Sequence, residues 1–134
     1  MSCIFCDIAS GKVPCYKVAE NKNALAFLDI SPLSNGHTVI ISKQHYPDWQ
    51  STPLDVLHDI VDLSIEVADK LTKKLKPWGF NYISNQGKIA SQEILHIHLH
   101  VIPKYVKGQG FRLDCNPVNI DDVEKIAKKL RINK

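Results

Sequence analysis

The 134-residue chain has no long hydrophobic run; its most apolar stretches, such as HTVIIS, are far too short to span a bilayer. The N-terminus MSCIFCDIASG shows neither a basic leader nor a small-residue cleavage site, so the expectation is a cytoplasmic protein with no membrane partner. Repeats, low-complexity segments and linkers are missing too. That leaves a single domain over residues 1–134, long enough to bury roughly two thirds of its unfolded surface. Strong basicity is also lacking: part of the net charge of +3 sits at helix ends (Lys70, Lys73, Lys74, Lys76; Lys125, Lys128, Lys129, Arg131), where cations complement the macrodipole. No nucleic-acid partner is expected on that charge. Four cysteines without a sign of export argue against a disulfide framework.

What is present is ordinary soluble patterning, with 44% hydrophobic and 23% charged residues. Short strands are expected at Tyr16–Glu20, Ala24–Leu28, His37–Ser42, Phe80–Ser84 and Ile94–Ile102, separated by turn chemistry such as SPLSNG and NQGK. A long helix is expected from Leu54 to Leu75, with Leu54, Leu57, Val61, Ser64, Ala68, Leu71 and Leu75 at steps of three and four. Pro77 and Gly79 stop it. The segment NIDDVEKIAKKLRI predicts a C-terminal helix with Asp121 and Glu124 at capping-box spacing and Val123, Ile126, Ala127 and Leu130 on one face. Strands in succession with a helix inserted suggest an α+β fold on an antiparallel sheet.

The most informative stretch is HIHLHVIP, residues 96–103. In a strand, His96, His98 and His100 project to one face at intervals of roughly 6.6 Å, while Ile97, Leu99 and Val101 face a core. Pro103 has no amide hydrogen and suits a strand end or an edge. Three imidazoles on one face are costly if buried and unpaired, so packing alone explains them poorly. Two chemical readings stand. The histidines hold a catalytic zinc with an open position, or one imidazole attacks phosphorus while its neighbours donate to the phosphoryl oxygens.

The surroundings of the triplet resemble a known family, the histidine triad (HIT) proteins, whose signature alternates histidine with apolar residues as HIHLHVI does. DISPLSNGH (Asp29 to His37), NQGKIASQEILH (Asn85 to His96) and CIFCDIASGKVP are similar to the family's ribose-binding segment, phosphate loop and N-terminal opening. The resemblance implies that His98 is the nucleophile forming a nucleotidyl-histidine that water hydrolyses, and that His100 and His37 contact the phosphate. It implies that the His96 carbonyl holds the other ring nitrogen of His98. Asp29 then binds the ribose hydroxyls, Phe5, Ile8, Phe27 and Ile30 form the slot for the base, Asn85 lies near the phosphate, and Gln92 and Glu93 present loop amides to it. Asp29-Ile30 and Asn85 resemble the Hint branch, which hydrolyses nucleoside phosphoramidates and aminoacyl-adenylate-like compounds. A Fhit-like hydrolase of dinucleoside polyphosphates and a non-catalytic nucleotide-binding adaptor are the alternatives. In two departures, Ser91 stands where a Gly is common, and Glu93 where eukaryotic Hint proteins have a Ser. Glu93 is expected near the leaving group, as its acid only with a raised pKa.

Cys3-Ile4-Phe5-Cys6 is a CxxC, which by itself supplies only two of the four ligands a structural zinc site needs. The resemblance to microbial family members with the same opening implies that His45 and His96 complete a zinc site with Cys3 and Cys6. On that reading zinc is structural and no cofactor is required for chemistry; Cys15 and Cys115 remain small apolar residues. The resemblance also implies a homodimer whose sheet continues across both subunits.

Overall fold

A computed structural model of the protein describes residues 2–131. In chain order the elements are α1 (Ile4–Ala9), β1 (Lys17–Glu20), β2 (Ala24–Leu28), β3 (Thr38–Ser42), α2 (Leu54–Leu75), β4 (Gly79–Ile83), a 3-10 turn (Lys88–Ala90), β5 (His98–Lys104) and α3 (Val123–Leu130). The strands form one five-stranded sheet in the order β1-β2-β3-β5-β4, and every neighbouring pair is antiparallel. This is the expected α+β architecture.

The sheet's alternation divides the core in two. Ala24, Ala26, Ile40, Ile97, Leu99 and Val101 face α2 and pack with Val56, Leu57, Ile60, Leu63, Val67 and Leu71. Leu25, Phe27, Val39 and Ile41 face the other way and pack with Phe5 of α1. Both faces of β2 and β3 are therefore covered, and those strands read as continuous apolar runs. A six-residue helix and the flanking residues Cys3, Cys15 and Ile94 cover the second face, and a cavity opens beside them.

Several expectations shift. On α2 the buried stripe includes Leu57, Ser64, Ala68 and Leu71 as expected, but Leu54, Val61 and Leu75 are exposed, and Val56, Ile60, Leu63 and Val67 take the core positions. The helix carries two apolar stripes, and periodicity does not say which one meets the sheet. Lys76, in the left-handed conformation, closes the helix by donating its N–H to the Leu71 carbonyl, just ahead of Pro77. The last strand starts at His98 instead of Ile94, because the Ile97 N–H is committed to the Tyr46 carbonyl at 2.7 Å and β3 pairing begins at Ile41 opposite His98. Pro103 lies where β3 has ended and only β4 pairs, so its missing N–H costs no ladder bond.

On α3 the cap is Asp122, not Asp121; its carboxylate accepts from the Glu124 N–H. The apolar face of Val123, Ile126, Ala127 and Leu130 is exposed instead of packed against the sheet; residue 132 of that segment lies outside the described residues. No helix among the described residues is long and apolar enough to cross a membrane.

The loop before β3 is tied down at both ends. Ser34 Oγ donates to the Pro103 carbonyl at 2.6 Å, and the Tyr105 hydroxyl donates to the Asn35 carbonyl at 2.8 Å. Gly36 turns the chain with a φ of +89°, and a Cβ there would sit 2.8 Å from Leu75 Cδ1 and 2.9 Å from Leu71 Cδ2. Gly36→Ala should therefore cost about 1–3 kcal/mol, of which about 1–2 is backbone strain, and lower the thermal midpoint by about 4–11 °C. An unchanged midpoint would show that the turn does not need glycine.

Candidate functional site: a histidine cluster facing a partly apolar cavity

Register places the chemistry. Phe27 pairs with Val39, and the ladder continues beyond the strand ends as the Asp29 N–H donates to the His37 carbonyl at 2.9 Å, so Asp29 and His37 share the face of Phe27 and Val39. Val39 pairs with His100 and Ile41 with His98, which puts both histidines on that same face. Four side chains from β2, β3 and β5 thus converge because strand side chains repeat every two residues.

Their hydrogen bonds assign the protons. The Leu33 N–H donates to His37 Nδ1 at 3.1 Å, so a neutral His37 carries its proton on Nε2. That Nε2–H donates to His100 Nδ1 at 2.9 Å, which leaves the His100 proton on its own Nε2. His98 Nδ1–H donates to the His96 carbonyl at 2.7 Å, leaving Nε2 with a free lone pair. Burial holds all three below the ordinary histidine range: His37 is lowered despite the nearby Asp29 carboxylate, and His98 despite the His96 carbonyl. Burial and then the neighbouring His98 and His37 push His100 down to about 4. Near neutral pH the cluster is a neutral imidazole with a free lone pair beside a neutral donor chain.

A cavity of about 670 Å³ opens over this floor, within the size range of small-molecule sites. Ile4, Phe5, Ile8, Phe27 and Ile30 contribute apolar surface, and Asp29, Ser91, Glu93, His37, His98 and His100 contribute polar groups. Phe5 is 7% exposed and meets the His98 ring edge-on, with centroids 5.0 Å apart. Ile30, 86% exposed, stands at the rim. Asp29 Oδ1 accepts from the Ser31 N–H at 2.8 Å, while Oδ2 lies 3.6 Å from His37 Nε2.

Two residues expected at the substrate lie elsewhere. Asn85 is not part of the lining; its side-chain amide donates to the Ser91 carbonyl at 3.4 Å and braces the loop. Gln92 is buried, its N–H donates to the Gly87 carbonyl, and its side chain bonds the Gly87 N–H and the Pro47 and Ile94 carbonyls. It shapes the loop that carries Glu93. Ser91 has a φ of +74°, the conformation glycine adopts without strain, which accounts for the glycine common there. Val13, Cys15, Leu33 and Ile94 also line the cavity, and no local pattern marks them.

His96 departs from its two neighbours. Its Nε2–H donates to the Ser42 carbonyl at 2.8 Å, with Ser42 Oγ at 3.1 Å, so the Nδ1 lone pair faces the cysteines. Cys3 Sγ lies 3.4 Å and Cys6 Sγ 3.6 Å from that nitrogen, His45 Nδ1 lies 3.2 Å from it, and Cys6 Sγ lies 3.3 Å from His45 Nδ1. A tetrahedron with metal–sulfur bonds of about 2.3 Å and metal–nitrogen bonds of about 2.0 Å has S···N edges near 3.5 Å and N···N edges near 3.3 Å. The four donors fit a metal ion, and two ring nitrogens 3.2 Å apart call for a proton or a cation between them. The Ser42 contacts to His96 are the outer-shell partner that such a ligand uses. Cys3 caps α1, and the Cys6 N–H donates to its sulfur at 3.4 Å, so the pair sits on the first turn of a helix that the CxxC did not announce.

The same contacts weigh against a metal on the triplet itself. His96 is turned to the cysteines, and both nitrogens of His37 are engaged, so the third nitrogen such a site needs is missing. Asp29, His37 and His100 do bring ligand-type atoms within 4.8 Å of one another, but His37 and His100 are joined by the hydrogen bond described above.

Comparison with known proteins agrees with this geometry. The model of the HIT domain matches residues 10–107. An uncharacterised HIT-like protein of Mycoplasma genitalium is 46% identical over 124 residues, covering 92% of this chain and 88% of that protein. An adenosine 5′-monophosphoramidase of Schizosaccharomyces pombe is 36% identical over 132 residues, covering 97% and 96%. The crystal structure of a Zn-bound histidine triad family protein from Mycobacterium smegmatis superposes with a TM-score of 0.77 at 37% identity, covering 87% of this chain and 85% of that one. With its signature leading into β5, a further histidine ahead of β3 and its fold shared along nearly the whole chain, the protein belongs to the HIT domain family.

Proposed function

We propose that the protein hydrolyses purine nucleoside 5′-monophosphate derivatives, nucleoside phosphoramidates foremost, through a nucleotidyl-histidine on His98. The observation that carries this reading is the hydrogen bond from His98 Nδ1 to the His96 carbonyl, which leaves a neutral imidazole with its Nε2 lone pair free on the floor of the cavity. In the first step Nε2 bonds to the α-phosphorus and the bond to the leaving amine breaks, the amine taking a proton from solvent as it departs. In the second, water adds its oxygen to phosphorus and gives up a proton to solvent, the P–N bond to His98 breaks with its electron pair returning to Nε2, and AMP or GMP leaves. His100, with its proton on Nε2, donates to the phosphoryl oxygens, and His37 fixes that proton's place by donating to His100 Nδ1. One preorganised donor of this kind contributes on the order of 3 kcal/mol to the transition state.

The base lies against Phe5, Ile8, Phe27 and Ile30, and the partly exposed Asp29 carboxylate accepts the ribose hydroxyls. The relative from Schizosaccharomyces pombe, an adenosine 5′-monophosphoramidase, supports an amine as leaving group. So does the charge of the cavity: its lining carries Asp29 and Glu93 and, among the described residues, no Lys or Arg to receive the extra phosphates of a dinucleoside polyphosphate.

Cys3, Cys6, His45 and His96 are read as the ligands of one structural zinc ion, supported by their tetrahedral spacing and by the Zn-bound relative. Zinc there supplies geometry and takes no part in the phosphoryl transfer. Four free cysteines fit a reducing compartment, which supports the cytoplasm. A homodimer is supported by the outer edge of β4, unpaired among the described residues, and by an apolar cavity beside it, which Trp49, Val61, Ile65 and Tyr82 line while each is more than a third exposed.

Three measurements follow. His98→Ala should lower the rate of AMP release from an adenosine 5′-phosphoramidate by on the order of 10⁴-fold or more; a variant that keeps the wild-type rate would refute the nucleophile. Because His37 and His100 are held below the ordinary histidine range, falling pH protonates them late, and the acid limb of the kcat/KM profile should lie below pH 6.5. A limb above 6.5 would contradict the neutral chain. Native mass spectrometry of protein purified without chelator should show twice the 15.1 kDa chain mass with two zinc ions. A metal-free spectrum sinks the zinc site, and a monomer sinks the shared sheet.

A further inference from the structure

We propose that the Cys3–Cys6–His45–His96 cluster and the nucleotide cavity are thermodynamically linked, so that a metal ion held by the cluster tightens nucleotide binding and bound nucleotide tightens the metal. This rests on the nucleotide and zinc readings above and goes beyond both, since a purely structural ion would be indifferent to what the cavity holds. The link runs along two routes.

The first is α1. At six residues the helix is far too short to hold itself together. Among the described residues, every polar contact from its side chains or from Cys3 to the rest of the fold passes through the sulfurs of Cys3 and Cys6 to His45 and His96. Between and beyond those two cysteines lie Ile4, Phe5 and Ile8, which form one apolar wall of the cavity. Fastening the cysteines therefore fastens the surface against which a base would pack.

The second route is His96. Its Nδ1 faces the cluster, its Nε2 is held by Ser42, and its carbonyl accepts the His98 Nδ1 proton at 2.7 Å. Orienting that ring for a metal also orients the peptide that positions the nucleophile, while Phe5 lies edge-on to both rings with centroids 5.8 Å and 5.0 Å away. His96 is a positioning residue here, since its side chain is turned from the substrate.

Linkage is reciprocal, so the two affinities must change by the same factor. The experiment titrates zinc against a chromophoric chelator with the full-length wild-type protein, in the absence and presence of saturating AMP, and measures the AMP dissociation constant by calorimetry with and without zinc. The expected result is a change of about tenfold in both, the low end of what outer-shell partners contribute to a metal site. His45→Ala, at an exposed position outside the cavity lining, should weaken zinc and with it AMP, and a thermal melt reports whether that variant folds. The wild-type titrations decide the matter whatever the variant does. Zinc affinity unchanged by AMP to within about twofold overturns the link and leaves both sites standing. Failure to bind zinc overturns it together with the zinc site, and failure to bind AMP overturns it together with the nucleotide reading.

Discussion

The antiparallel register between β3 and β5 is the constraint on which the rest of the site depends. Ile41 opposes His98 and Val39 opposes His100, so both histidines share a face with His37, while Ile97, Leu99 and Val101 meet α2 on the other. A slip of one residue would send the imidazoles into the α2 core and the aliphatic residues into the cavity. Desolvating three imidazoles against Ile60 and Leu63 would cost several kcal/mol. The apolar residues between the histidines thus hold the register that groups them, and the signature's alternation is a packing requirement as much as a chemical one.

On that frame the three histidines of the triplet have different environments and different work. His98 is a base made available, with one nitrogen capped by a carbonyl and the other free. His100 is a donor, because His37 supplies the proton that fixes its tautomer. His96 is fully buried and faces the cysteines. Burial keeps them neutral, and hydrogen bonding decides which nitrogen of each ring is left free. The six-residue α1 joins the two centres, since Cys3 at its cap and Cys6 in its first turn belong to one and its Phe5 meets the His98 ring of the other.

Much of this was legible in the residues. The five strands and the long helix lie close to where alternation and turn chemistry put them, and the histidine signature with Asp29, His37 and the CxxC named the groups that come together around the cavity and the cluster. Other parts were not legible, each for a physical reason. The buried stripe of α2 was ambiguous because Val61 and Ile65 continue an apolar pattern on a side that the sheet does not reach. The helix at Ile4–Ala9 was hidden because six residues carry too little periodicity to show, and its cap is a cysteine instead of the usual oxygen side chain. Gln92 sat in the right loop, but only the fold shows that its side chain is spent on the Pro47, Gly87 and Ile94 backbone.

By itself the sequence determined which side chains share a face, because a strand repeats every two residues and that period is written in the order of the letters. It also determined the chemical types available: imidazoles, one carboxylate ahead of a turn, and two thiols three positions apart. Tertiary structure alone decided which nitrogen of each imidazole is free, since that depends on the Leu33 N–H and the His96 and Ser42 carbonyls, backbone groups that every sequence possesses. It decided as well that a helix of the N-terminus packs against β2 and β3 and brings Cys3 within 3.4 Å of a histidine 93 positions away. Such contacts arise when two faces of one sheet are each covered by the element that reaches them, and no local pattern records the distance.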